Sequence, residues 1–187
     1  YYFIYEPSIK NVIKGYTHLT GTTPLPQLWT LGYQQCRWAY CPEENVYEIA
    51  KKFREKDIPC DTIYLDIEYM DDFRVFTWDK NKFKDPKKMI ENLNDDGFKL
   101  VTIIDPGVKV DKGYKIYDEG LENNYFATDK NGIVYTNWVW PGNSVFPDFM
   151  NSEVRKWWSN NQKIMTDYGV SGIWNDMNEP ASFNGPL

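Results

Sequence analysis

Trp174-Asn175-Asp176-Met177-Asn178-Glu179-Pro180 sets one aromatic ring, two amides and two carboxylates side by side. The residues before it, Ser171 to Asp176, read as a strand. Pleat alternation then turns Trp174 and Asp176 to one side and Asn175 to the other. A carboxylate held beside a flat ring suits a sugar: the charge attacks or stabilises an anomeric carbon that becomes positive, and the ring packs on the pyranose face. Pro180 stiffens the exit by fixing its own φ. The same residues also allow a purely structural role, with Asp176 capping a helix that starts near Pro180 or pairing with a neighbouring cation.

A second concentration of charge is Leu65-Asp66-Ile67-Glu68-Tyr69-Met70-Asp71-Asp72, with four acids at the end of another apolar run. Such a loop can bind vicinal sugar hydroxyls, hold a cation, or stay solvated and pair with Arg74. The spacing and the missing glycine disfavour a calcium loop. Arg37 and Trp38 offer a buried guanidinium and a second stacking ring, or ordinary packing. The one histidine, His18, and the three cysteines, Cys36, Cys41 and Cys60, show no metal-ligand spacing, so no structural zinc and no zinc chemistry are expected.

Elements must bring these groups together. Residues 1 to about 22 carry an aromatic run and then Gly15, Gly21 and several threonines, which predicts an edge strand and a connector closed by Pro24 and Pro26. Leu28 to Gln34 is a candidate first strand. Asn45 to Lys56 places Val46, Ile49, Ala50 and Phe53 on one helical stripe. Asp61 to Asp66 supplies a second strand. Asp85 caps a helix with Pro86 in its first turn and Met89, Ile90 and Leu93 on its buried side, and Gly97 ends it. Lys99 to Ile104 is a β-branched strand that finishes at Asp105-Pro106. The stretch 107–149 reads as a long loop insertion of functional kind. A helix from about Ser152 to Tyr168 and the strand Ser171 to Asp176 follow. Alternating βα units with apolar strands predict a parallel sheet under helical cover, and Asp66, Asp105 and Asp176 all fall at the carboxyl ends of strands, where such sheets display ligand-binding groups. Four strands make half of an eight-stranded barrel, and half a barrel leaves an edge for more chain to complete.

Composition narrows the partners. The chain has 187 residues, 42% of them hydrophobic and 17% aromatic, with a formal net charge of −6. This excludes collagen-like and disordered classes, and neither charge balance nor any basic stripe suggests nucleic acid. No run of eighteen apolar residues predicts a membrane span. Unpaired thiols and the absence of a leader-like segment predict a cytoplasmic protein.

Taken in order, Leu19-Thr20-Gly21 with Pro24-Leu25-Pro26, Leu31-Gly32-Tyr33-Gln34-Gln35-Cys36-Arg37-Trp38, Asp66-Ile67-Glu68-Tyr69-Met70 with Phe76-Thr77, Ile104-Asp105-Pro106, Phe146-Pro147-Asp148-Phe149 and Trp174 to Pro180 resemble the first half of the catalytic domain of glycoside hydrolase family 31. The resemblance implies a (β/α)8 TIM barrel, an α/β fold of which this chain gives about the first four strands. Residues 1–22 would be the end of a preceding β-domain and connector, and residues 23–187 the first half of the barrel. It implies a retaining α-glucosidase that removes terminal non-reducing glucose through a covalent glucosyl intermediate on Asp176. Asp66 would bind the sugar's hydroxyls, and Ile67, Ile104, Trp174 and Met177 would shape the pocket. Trp38 and Trp140 would be aromatic walls, and Arg37, Glu68, Asp105 and Glu179 supporting residues. No metal or organic cofactor is implied.

Two departures matter. Glu68 stands where the family's usual motif has Asp. The family's acid/base Asp, an Arg and a sugar-binding His come from later strands, so this chain alone is expected to be inactive until the remainder of the barrel, in the same polypeptide or a second chain, supplies the second carboxyl group. Rival readings are the same fold as an α-xylosidase, α-galactosidase or α-glucan transferase, and a non-catalytic sugar-binding or regulatory subunit. The partner in the first readings is an α-glucoside or oligosaccharide, with neither nucleic acid nor membrane involved.

Overall fold

The strands that carry the site lie side by side in one parallel sheet. The computed structural model describes residues 1–179 and 181–184. In chain order the sheet takes β1 (Gln34–Gln35), β2 (Thr62–Leu65) and β3 (Lys99–Ile104), and then a last strand, Gly172–Asn175, which follows the insertion. Every neighbouring pair is parallel, and each crossover carries a helix, so the wall is that of a partial (β/α) barrel.

The helices form for local reasons. The first, α1 (Ile9–Thr20), starts at Ser8, whose hydroxyl accepts from the Asn11 amide at 3.3 Å. In α2 (Glu43–Glu55) the buried stripe is Val46, Ala50 and Phe53. In α3 (Pro86–Asp95) the Asp85 carboxylate accepts from the Lys88 amide at 3.0 Å, Pro86 sits in the first turn, and Met89, Ile90 and Leu93 are buried. Gly97 ends that unit at φ 81°, where an L side chain would be strained.

The stretch 107–149 is folded rather than a bare loop. It contains β4 (Val108–Lys109), α4 (Lys115–Glu122), β5 (Thr136–Val139) and β6 (Gly142–Val145), and its strands form an antiparallel sheet in the order β4-β6-β5. Val139 pairs with Gly142, so Trp140 and Pro141 form the tip of the β5–β6 hairpin, with Gly142 at φ 94°. The unit sits tightly on the end of β3: a Cβ at Gly107 would come within 2.5 Å of the Val139 side chain. After it, α5 (Ser152–Thr166) is capped by Asn151, which accepts from the Glu153 amide at 2.9 Å, and the chain enters β7 (Gly172–Asn175).

Two amino-terminal expectations are corrected. Residues 9–20 are a helix, not an edge strand. Ile9, Val12, Ile13, Tyr16 and Leu19 recur at helical spacing, and Ser8 starts the count, a signal masked by Gly15 and the threonines. Leu28 to Gln34 is not one strand either. Leu28–Leu31 is a 3₁₀ turn, and ladder pairing begins only at Gln34; between them the backbone at Gly32 passes so close to Asp61 that a Cβ there would overlap its carboxylate.

Candidate active site

Register fixes which side chains can meet. Thr62 pairs with Lys99, Tyr64 with Val101, Val101 with Gly172 and Ile103 with Trp174. Tyr64, Val101, Ile103 and Trp174 therefore share one face, and the rings of Tyr64 and Trp174 meet edge-on there at 6.1 Å. Continuing the alternation, Asp66, Asp105 and Asp176 leave the carboxyl ends of β2, β3 and β7 on this face. Ile104 pairs with Asn175 and lies on the opposite face, which corrects its expected place in the pocket. Ile103 is the isoleucine on the site's side, and counting back two residues from Asp105 would have found it.

The three aspartates act on one another. Burial pushes the Asp105 carboxyl up to about 7, and the charges of Asp176 and Asp66 add to the rise. Asp105 is 4% exposed, and its Oδ1 is enclosed without a hydrogen-bond partner. Asp66 is also raised, first by burial and then by Asp176, against the opposing pull of the Ile67 amide, which donates to its Oδ1 at 2.8 Å. That bond caps a 3₁₀ turn, Ile67–Tyr69, and the turn is anchored where the Tyr69 hydroxyl donates to the Ile103 carbonyl at 2.8 Å. Ile67 is buried in the turn.

Aromatic rings form the rim. Trp38 lies 5.7 Å from Trp140, which meets Phe183 at 5.0 Å. All three are exposed. Trp140 reaches the rim because it is the hairpin tip, and Phe183 is held by its amide, which donates to the Trp138 carbonyl at 2.8 Å. Sequence reading missed Phe183, and nothing local marks it, since its neighbours are brought there by the hairpin. The Trp38 indole N–H donates to Glu68 Oε1.

The remaining expected residues sit as follows. Met177 takes a left-handed conformation at φ 59°, turning the chain directly after Asp176, and the Asn178 side-chain amide donates to the Asp176 carbonyl at 2.7 Å. Glu179 is exposed. Pro180, expected to stiffen this exit, lies outside the described residues. Arg37 lines a groove with Tyr40, Asn45 and Ile49 at the start of α2, and its side chain is exposed rather than buried among the described residues. A cavity of about 380 Å³ is lined mainly by the insertion, with Tyr135, Phe146 and Phe149, and by Pro106 and Asn178; none of the three aspartates lines it. Among the described residues no His, Cys, Asp or Glu group is arranged to hold a metal ion, and no helix is long and apolar enough to cross a membrane.

Comparison with known proteins places this geometry. Residues 23–187 match the model of the glycosyl hydrolases family 31 TIM-barrel domain. The chain is 53% identical over 184 residues to alpha-glucosidase 2 of Bacillus thermoamyloliquefaciens, covering 98% of this chain and 23% of that protein. It superposes with a TM-score of 0.90 and 43% identity on a chain of an ER glucosidase II heterodimeric complex of catalytic subunit and regulatory-subunit binding domain, covering 97% of this chain and 20% of that one. A glucose-complexed dextranase of Flavobacterium johnsoniae matches at TM-score 0.87 and 36% identity, over 97% and 22%. The chain thus spans about a fifth of the length of these relatives. The cytoplasmic location expected from the thiols is overturned by the ER relative. The reason is physical: Cys36, Cys41 and Cys60 are all free, and thiols without a partner report nothing about the redox state of a compartment. A parallel half-barrel, three aspartates at adjacent strand ends and a family model matched from residue 23 to the end agree: the chain belongs to glycosyl hydrolase family 31.

Proposed function

We propose that this chain is the nucleophile-bearing half of the barrel of a retaining α-glucosidase, with residues 1–22 as the end of a preceding domain and connector. The observation that carries the reading is the placement of Asp176 one residue beyond β7, beside Trp174 and on the same face as Asp66 and Asp105. A terminal α-linked glucose enters over the exposed rings of Trp38 and Trp140, and its hydroxyls bond to Asp66. Ile67, Ile103, Trp174 and Met177 line its sides. Asp176 Oδ attacks the anomeric carbon as the bond to the leaving oxygen breaks, and an acid from the remainder of the barrel protonates that oxygen. Water then attacks the glucosyl ester, the same group takes the water's proton, and Asp176 leaves as carboxylate. Asp105 and Glu68 support the binding carboxylate and the wall.

The dextranase relative is the specific reason to keep a second reading, in which the same pocket serves a longer α-glucan. Both readings share the first chemical step. The test is to trap that step in the assembled enzyme with 5-fluoro-α-glucosyl fluoride, digest it, and sequence the labelled peptide by mass spectrometry. Label on Asp176, with the α-anomer released first from an aryl α-glucoside by NMR, is the expected result. Label on another carboxylate, or a β-anomeric first product, overturns the assignment.

A further inference from the structure

Trp38 follows the two-residue strand β1, in a segment where no strand pairing holds it, yet its ring forms part of the rim. It is 64% exposed, and among the described residues it makes one ring contact, with Trp140, and one side-chain hydrogen bond, from its indole N–H to Glu68 Oε1. Glu68 is by contrast firmly seated. It occupies the middle of the 3₁₀ turn Ile67–Tyr69, between two buried side chains. Its carbonyl meets Cys41 Sγ at 3.6 Å and Lys82 Nζ at 3.5 Å, and its other carboxylate oxygen, Oε2, is enclosed without a partner. The Trp38 bond ties this carboxylate, which also interacts with its own backbone amide and the Lys82 charge, to the ring at the rim.

The same turn begins at Asp66, whose carboxylate caps it. We infer that Glu68 is a positioning residue that locks the Trp38 ring at a fixed offset from Asp66, so that one turn sets both the hydroxyl-binding carboxylate and the wall on which the sugar stacks. The inference rests on the sugar-binding reading of this mouth. It also explains why a residue one methylene longer than Asp is useful here: the indole N–H is an obligate donor, and the longer side chain reaches from the buried turn to the exposed ring.

The test is a double-mutant cycle in the assembled enzyme, with an aryl α-glucoside as substrate. Glu68→Ala releases the ring, and Trp38→Phe keeps a ring but removes its donor. Each is expected to raise KM about tenfold and change kcat less than about threefold, and the double variant adds little to either, because both remove one interaction. Glu68→Gln still offers an acceptor and is expected to restore KM to within about threefold. A parallel measurement needs no turnover: acrylamide quenching of tryptophan fluorescence, taken as the difference from Trp38→Phe, is expected to rise in Glu68→Ala and not in Glu68→Gln. Additive KM effects, or a Glu68→Gln as impaired as Glu68→Ala, or unchanged quenching, overturn the positioning role. A wild-type enzyme that turns over no α-glucoside while Glu68→Ala still frees the ring overturns the α-glucosidase reading and supports the lock.

Discussion

Replacing Asp105 by Asn reports directly on the electrostatics of the site. Asp105 is buried between two carboxylates, and the charges acting on it from Asp66 and Asp176 are both negative. Its carboxyl rises from the ordinary 3.8 to about 7. Because the folded value lies above the unfolded one, the folded protein binds the extra proton between those limits. The stability this group allows is then fully present below about pH 4 and is lost as pH rises to about 7. A rise of about three pH units at 1.36 kcal/mol each gives roughly 4 kcal/mol, an upper figure that water entry and relaxation reduce to about 2–4 kcal/mol. Asn has the same shape and no charge. Urea unfolding of the wild type and Asp105→Asn from pH 4 to pH 8 should therefore give curves that nearly coincide at the acid end and diverge steadily, with the variant more stable at pH 8 by about 2–4 kcal/mol. A constant difference across that range, or a variant less stable at pH 8, refutes the reasoning and means that a cation keeps Asp105 ionised.

Three further outcomes follow from the same geometry. Asp176→Asn should cut turnover of an aryl α-glucoside by at least about a thousandfold, roughly 4 kcal/mol of barrier, with an unchanged melting temperature; near-normal steady-state rates would remove Asp176 from the nucleophile's place. Tyr69→Phe strips the buried hydrogen bond to the Ile103 carbonyl and should destabilise by about 1–3 kcal/mol in denaturant unfolding. Gly120→Ala would drive a Cβ within 2.2 Å of the Phe126 ring and should cost about 1–3 kcal/mol, read as a lowered urea midpoint, whereas Gly132, with nothing near it, gives a comparison dominated by its φ of 79°.

The parts of the fold that were legible are those with local causes. Asp85 and Pro86 start α3, Gly97 stops it, and Lys99 to Ile104 is β3 to the residue. The strand-end aspartates were legible for the same reason, since a strand's period of two and its end are both written in nearby residues. What failed was non-local. Leu28-Trp29-Thr30-Leu31 has the composition of a strand but forms a 3₁₀ turn, and the ladder with β2, a segment of the next unit, begins only at Gln34. Ile104 looked like a pocket residue by its place next to Asp105, but adjacent residues in a strand face opposite ways, so Ile103 is the one on the site's side. The hairpin that lifts Trp140 to Trp38 was hidden inside a stretch read as loop, and Phe183 joins the rim only through it.

The site also shows why its most strained residue need not be its reactive one. Three carboxylates on one face repel, and the one with least water, Asp105, absorbs the conflict by holding its proton to about pH 7. Asp66 and Asp176 flank it at the neighbouring strand ends. In the proposed reaction positive charge develops at the anomeric carbon, and it meets a field already in place before the sugar arrives, with no reorganisation needed at the moment of bond breaking. The repulsion that costs stability before the sugar binds is thus relieved as the transition state forms, so Asp105→Asn should gain stability at high pH without replacing what Asp176 does.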